Sequence, residues 1–489
     1  MDNATREVPP EESSATGLRG RLGVLGLVLT VIAYNGPMAV LAGFIPVVIG
    51  AGSGLASPLI YVLIGVLLAI FAVGLNAMAA RMTHAGAFYT YITAGLGRHA
   101  GLSAGVIAML AYLGLVSGTY ILFALGVEAM LGRSGGSDPG IPWLVWAVLA
   151  WGVGSFLTLR NIAVSAKVVG ILSAAEVIII LIWQTRVFFD GGPEGRVFDA
   201  TQTLGSGSIA LALVFGILCC TGFESLQVFR SETRNPSRTV PTATYTAVAV
   251  IVALNVVSAY AYIVSFGATD AIDAAADPTG SVMQSIGTYV GAVAADIANA
   301  LLVTSAFAAC LAIQSILARY VFAFGRDGIF PRKLGVANDK HGSPARAAGA
   351  TSVVVLLVFL VPGLLGAAAL PTFTALLGIG GYLLIILWAV TSAAVVMFMR
   401  GIPTSRPGVW QSVIAPSVAA LGLGAIAVLS TVYFDQIVAV TFPGAAVILA
   451  AIAVIAVGAG ASAEVFRRRK PDVYRAIGQQ QEFVSSTKP

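Results

Sequence analysis

The chain has 489 residues, 58% of them hydrophobic and only 10% charged, and its mean hydropathy is +0.92. That composition excludes the soluble globular class and marks an integral membrane protein. The net charge of +5 needs no nucleic acid to explain it, because the basic residues are placed as a topology signal.

Residues 1–20 are predicted to be a disordered cytoplasmic tail, since the first eighteen are polar, set Glu7, Glu11 and Glu12 beside Arg6, and hold no apolar run. No cleavable signal peptide is expected ahead of the first span. Apolar runs long enough to cross a bilayer recur about twelve times, at 22–50, 58–80, 99–131, 142–158, 163–183, 208–231, 240–266, 287–318, 345–367, 371–399, 409–432 and 437–462. The fold class is therefore an all-α polytopic membrane protein with about twelve transmembrane helices over residues 21–464. Residues 465–489, with Arg467-Arg468-Arg469-Lys470, read as a basic cytoplasmic tail.

With the N-terminus inside, the cytoplasmic loops carry Arg81, Arg98, Arg160, Arg234, Arg238, Arg326, Arg332, Lys333 and Arg400, among others. The outer loops carry Arg133, Arg186 and Arg196 and are otherwise acidic, with Asp190, Glu194, Asp270, Asp273 and Asp277. This places the protein in a cytoplasmic membrane with both termini inside. Cys219, Cys220 and Cys310 lie within apolar runs, where a small polarizable side chain packs, so neither a disulfide framework nor a metal site is indicated, and no cofactor is expected. A phosphate cradle of the G-x-x-x-x-G-K-[ST] kind is missing, which argues against ATP-driven pumping by this polypeptide alone. The run Gly50 to Gly54 is read as a tight turn.

Two runs are broken near their middles. Span one carries Tyr34-Asn35-Gly36-Pro37-Met38 and span six carries Cys219-Cys220-Thr221-Gly222-Phe223-Glu224. Proline removes an N–H and glycine relaxes the backbone, so each run is expected to open into two half-helices with free backbone groups. Such groups are tolerated at membrane depth where they line a polar cavity, and a matched pair of interrupted spans points to a transporter's binding site. Amphipathic connectors at 83–97 and 269–285 fall at corresponding places after spans two and seven. Spans one to five and six to ten are therefore expected to form an inverted repeat, with eleven and twelve outside it.

Ionisable groups inside spans are costly, by about 2.5–3.5 kcal/mol on insertion scales, and are functional by default. Glu224 follows the span-six break, where it either faces a ligand ammonium or caps freed N–H groups. Glu176, midway along span five, either exchanges a proton during transport or makes a structural hydrogen bond. Lys167, nearer the cytoplasmic end of that span, is expected to reach the interface. Asp296, in the outer half of span eight, faces an outer vestibule or lies outside the site. Thr304 and Ser305 offer hydroxyl oxygens that, with carbonyls near Asn35 and Gly36, suit a hard cation such as Na⁺, although both residue types are also routine in helix packing. Tyr34, Tyr120, Phe223 and Tyr382 are candidates to line or gate a pocket.

Gly222-Phe223-Glu224-Ser225, with Glu232-Thr233-Arg234-Asn235-Pro236-Ser237-Arg238-Thr239-Val240-Pro241 behind it, resembles a segment of amino acid/polyamine/organocation superfamily permeases. So do Gly86-Ala87-Phe88-Tyr89-Thr90-Tyr91 and Phe324-Gly325-Arg326-Asp327-Gly328-Ile329-Phe330-Pro331. The resemblance covers roughly residues 20–460. It implies the LeuT-like fold, a ten-helix inverted repeat with two further helices, and alternating access of amino acids or related amines, bound by the unwound backbone of spans one and six. It also implies a proton-sensing role for Glu224, which matches a glutamate so used in arginine/agmatine exchangers. In sodium-independent, proton-coupled relatives a lysine of span five fills the place of a sodium ion, and here that place falls on or near Glu176 rather than Lys167. Span one departs as well: relatives present several glycine N–H groups there, whereas Pro37 has none, which keeps an amine without a carboxylate in play.

The functional reading is thus a secondary active permease for an amino acid or small organic amine, proton-coupled or exchanging. The substrate-binding residues are Tyr34 to Met38 and Cys220 to Glu224, and the proton carriers are Glu176 and Glu224. A polyamine or ethanolamine-type carrier, or a non-transporting nutrient sensor with the same fold, are the alternatives. Membrane lipid and a small-molecule substrate are the expected partners; the sequence leaves monomer and homodimer open.

Overall fold

Among the described residues of the computed structural model, eleven helices are long and apolar enough to cross a membrane, and a further apolar helix, Trp143–Leu159, has 17 residues. The structure describes residues 23–82, 88–133, 141–160, 166–195, 207–233, 235–336, 344–401 and 407–478. The 1–20 tail, Gly86 and Ala87, the side chain of Lys167 and residues 479–489 lie outside the described residues.

Span one is two helices, Val24–Asn35 and Pro37–Gly43, joined at Gly36. Gly36 has φ 65°, a conformation that costs a side-chain-bearing residue, and Pro37 fills the first position of the second helix, where a missing N–H is harmless. The chain then widens into a π-helical turn over Val48–Ser53 and passes through Gly54 into span two, Ser57–Ala79. Span six is a helix over Ile209–Leu218, a turn through Cys219 to Gly222, and a 3₁₀ helix over Phe223–Glu232.

The remaining spans are three (Arg98–Arg133), four (Trp143–Leu159), five (Ala166–Asp190), seven (Pro236–Phe266), eight (Ala292–Arg326), nine (Ala345–Leu364), ten (Ala369–Arg400), eleven (Ala415–Val432) and twelve (Phe442–Arg469). The connectors contain the helices Phe88–Leu96 and Pro278–Tyr289. Several spans outrun their apolar stretches. Span five continues through polar Gln184 because that side chain finds Ser258 of span seven at 2.8 Å, next to Trp183 bonded to Ser285 at 2.9 Å. Span seven starts on Pro236, ahead of the apolar run, as proline permits at a first helical position.

Span three is the central element and packs on spans eight and ten. Span five touches spans one, seven and eight, and span one lies against spans seven and eight. Span twelve contacts span three and leaves most of its surface exposed. It runs on through Arg467–Arg469 into a short helix, Pro471–Ala476, and Ile477 beyond it is buried.

Candidate functional site

The two breaks meet. Asn35, the last residue of the first half of span one, donates from Nδ2 to the carbonyls of Cys219, at 2.9 Å, and Thr221, at 3.1 Å. Asn255 of span seven, 3% exposed, donates to the same Cys219 carbonyl at 3.0 Å. A carbonyl oxygen has two lone pairs, so Cys219 is fully used and its orphaned acceptor is satisfied inside the protein. Gly222 has φ 113°, and a Cβ there would lie 2.8 Å from Cδ1 of Tyr34. Only glycine lets the span-six backbone come this close to span one.

Glu224 turns back on the break. Its Oε2 accepts from the N–H of Gly222 at 2.8 Å, while the Ser225 hydroxyl donates to the Gly222 carbonyl at 2.6 Å. Cys220 and Thr221 give their N–H groups to the carbonyls of Ile217 and Leu218. Phe223 is buried and packs edge-on against Trp388 of span ten, centroids 5.6 Å apart, and against Phe71 of span two at 6.2 Å, while Phe71 stacks on Trp388 at 5.4 Å.

On the opposite flank of span one, Glu176 of span five is 2% exposed. Its Oε2 accepts from the N–H of Met38 at 3.0 Å and from the hydroxyl of Ser305 at 3.2 Å. The carboxylate therefore joins spans one, five and eight at the break itself. A Cβ on Gly36 would lie 2.9 Å from the Ser305 hydroxyl, so this packing also depends on glycine. Glu176, Ser173, Thr304 and Ser305 are the polar members of an otherwise apolar cavity of about 540 Å³ bounded by spans three, four, five and eight, with Ala33 of span one.

Donors at the span-one break are scarce. Gly36 gives its N–H to the Ile32 carbonyl at 3.2 Å, Pro37 has none, and Met38 gives its own to Glu176. Acceptors are plentiful, because the last carbonyls of the Val24–Asn35 helix have no intrahelical partner and the negative end of its dipole lies there. The positive end of the Pro37–Gly43 helix dipole lies at the same junction, so the break offers orphaned carbonyls beside few N–H donors.

Other candidates fall elsewhere. Thr304 is exposed and bonds the carbonyls of Ala300 and Leu301 in its own helix, so its hydroxyl and that of Ser305 do not converge on a common point. Tyr120 donates to Gln314, whose amide bonds Ser155 and Ser352, a polar tie among spans three, four, eight and nine. Tyr382 bonds Thr431 at 2.8 Å between spans ten and eleven. Asp296 is exposed at the start of span eight. Asn255 was not a sequence candidate; its signal was a lone carboxamide within the apolar run of span seven. Among the described residues no group of His, Cys, Asp or Glu is arranged to hold a metal.

A family model described as amino acid permease matches residues 26–474. The chain is 24% identical over 379 residues to the low-affinity putrescine importer of Escherichia coli (strain K12), covering 74% of this chain and 80% of that protein. It is 25% identical over 344 residues to the L-lysine transport protein of Corynebacterium glutamicum, covering 65% of this chain and 64% of the relative. It is 23% identical over 356 residues to the branched-chain amino acid permease of Lactococcus lactis subsp. cremoris, with 69% and 73% covered.

Proposed function

The chain belongs to the amino acid permease family, and from that premise we propose that it is a secondary active transporter of an amino acid or small organic amine, working by alternating access. Family membership makes it a transporter rather than an enzyme. The observation that carries the mechanistic reading is the bridge from Asn35 to the carbonyls of Cys219 and Thr221, which joins the two interrupted spans at one point. The substrate site is assigned to the backbone and side chains of Tyr34 to Met38 and Cys220 to Glu224, with Glu224 meeting the substrate's positive charge. Glu176 is the proton-carrying group: it is buried, it contacts the break through Met38, and its protonation state is felt by spans one, five and eight together. Spans one to five and six to ten act as inverted repeats in a cytoplasmic membrane with both termini inside.

A second reading, a carrier of amines without a carboxylate, is favoured by the shortage of donors at the span-one break, where Pro37 lacks an N–H and Met38 has given its own to Glu176. The similarity to a putrescine importer agrees with it. Counterflow in proteoliposomes tests both readings. Vesicles preloaded with one candidate should take up that compound faster, with lysine and leucine representing amino acids and putrescine and ethanolamine representing amines. Acceleration by a diamine but by no amino acid selects the second reading. Failure of every amino acid and amine to accelerate uptake by folded protein would remove the transport proposal.

A further inference from the structure

A polar cavity of about 420 Å³ lies far from the breaks, at the end of the molecule that carries Arg98. Its walls are the end of span two, the connector helix Phe88–Leu96, the start of span three and the returning C-terminal segment. Span three begins at Arg98, and its first acceptor, the carbonyl of Gly97, is taken by the N–H of Gly101 at 3.0 Å. The N–H groups of Arg98, His99 and Ala100 therefore have no acceptor within the helix, and the helix dipole places positive charge on them. Arg98 and His99 line the cavity. The Arg98 guanidinium lies 5.0 Å from the centroid of the Tyr474 ring, and its buried Nε has no hydrogen-bond partner.

A second, independent feature points the same way. Thr90, on the cavity wall, is 4% exposed, and its hydroxyl has no partner. A buried hydroxyl left unpaired is costly and calls for a ligand to satisfy it. Among the described residues that line the cavity there is no Asp or Glu. Two carboxylates that contact residues of this region are already engaged: Glu464 by Arg468 at 2.8 Å with Arg467 and His99 beside it, and Asp327 by the hydroxyl of Tyr89 at 2.8 Å. Tyr89 in turn accepts from the N–H of Gly478 at 3.1 Å, which fixes the C-terminal wall of the cavity.

We propose that this cavity binds a phosphate group, held by the free N–H groups at the start of span three, the Arg98 guanidinium and the Thr90 hydroxyl. A helix N-terminus beside an arginine suits an anion with several acceptor oxygens. The phosphate belongs either to an anionic lipid headgroup, which the basic face would meet at a membrane surface, or to a free soluble phosphate. The site is separate from the transport site and would tie the C-terminal segment to the connector and span three.

The test is thermal unfolding of the full chain in detergent. Inorganic phosphate is compared with chloride at equal ionic strength, and phosphatidylglycerol with phosphatidylcholine. A ligand that binds the folded state should raise the midpoint by several degrees with phosphate or phosphatidylglycerol and not with the matched controls. Thr90→Val and Arg98→Gln should each raise the half-saturating concentration about tenfold. A shift with phosphatidylglycerol alone assigns the site to a lipid headgroup, and a shift with millimolar phosphate assigns it to a soluble phosphate. No shift with either, or the same half-saturation in both variants as in the wild type, overturns the proposal. Thr90→Val is nearly isosteric and leaves the topology charges intact, so it carries the test if Arg98→Gln does not fold.

Discussion

The amide of Asn35 and the carbonyl of Cys219 stand 2.9 Å apart across the two interrupted spans, and Asn255 approaches the same carbonyl from span seven at 3.0 Å. Asn35 is thus one arm of a three-way tie, and Asn255 joins spans six and seven through a bond of its own. If the proposed alternating access shifts span one against span six, this arm breaks and re-forms in each cycle. Asn35→Leu should lower the unfolding midpoint by an amount equivalent to about 1–3 kcal/mol, since the Thr221 carbonyl loses its side-chain donor. Transport should fall with it. Unchanged uptake by a destabilised Asn35→Leu protein would reduce the tie to packing.

Glu224→Gln keeps an acceptor for the N–H of Gly222 and loses the negative charge. Transport of a cationic substrate should fall by roughly tenfold or more, the loss expected of one charge-assisted contact, while the unfolding midpoint changes little. Poor expression with normal uptake by the surviving protein would mean that the carboxylate serves the break alone.

How much of this was legible beforehand depended on the kind of signal. Pro37 and Gly222 cannot sit quietly within an apolar helix, so both breaks could be read from single residues. Glu176 stood out because a lone carboxylate in a span is expensive. Asn255 did not, since one carboxamide in a long run is ordinary and its meaning comes from a partner 36 residues away. Thr304 and Ser305 looked alike as neighbours in sequence, yet adjacent helical residues point about 100° apart, and only Ser305 turns to Glu176. The fold-back of Tyr474 to Gly478 onto the connector carries no periodic pattern and depends wholly on tertiary contacts.

Gly222→Ala should be among the most damaging small substitutions in the chain. It forces a Cβ into the left-handed region, at about 1–3 kcal/mol, and sets it 2.8 Å from the Tyr34 ring. Gly170→Ala, in the helix of span five with open space around it, is the matched control and should be neutral or slightly stabilising. Equal unfolding midpoints for the two variants would show that the span-six backbone can leave this conformation at little cost.

Glu194, in the loop after span five, gives a pH-dependent contribution of known sign. Its carboxyl is held below the usual range chiefly by the Thr269 side chain, with a backbone contribution from Ala268, whose N–H lies 2.7 Å away. A depressed carboxyl stabilises the fold above its unfolded value of about 4.3 and loses that contribution as pH falls through the folded value. Hydrogen exchange at Ala268 should therefore be slower in the wild type than in Glu194→Gln at neutral pH, with the difference shrinking on acidification below about pH 4. A difference that persists unchanged in acid would show that charge has no part in it.

Glu176 offers the sharpest test of coupling, because one oxygen of its carboxylate serves both the Met38 N–H and the Ser305 hydroxyl. As a carboxylate it accepts both bonds and holds spans five and eight against the span-one break. Protonation would weaken both bonds and loosen the hold on span one. If this is the proton-loading step, uptake into proteoliposomes should depend on pH and need no sodium, and Glu176→Gln should flatten the pH profile by fixing the group in a neutral form of the same size. Glu176→Asp, which titrates but retracts the carboxylate by one methylene, should retain pH dependence with a reduced rate. An uptake that requires a sodium gradient, or a pH profile that survives Glu176→Gln unchanged, would remove Glu176 as the coupling group and leave the Ser305 hydroxyl and the orphaned carbonyls of span one as ligands for a cation.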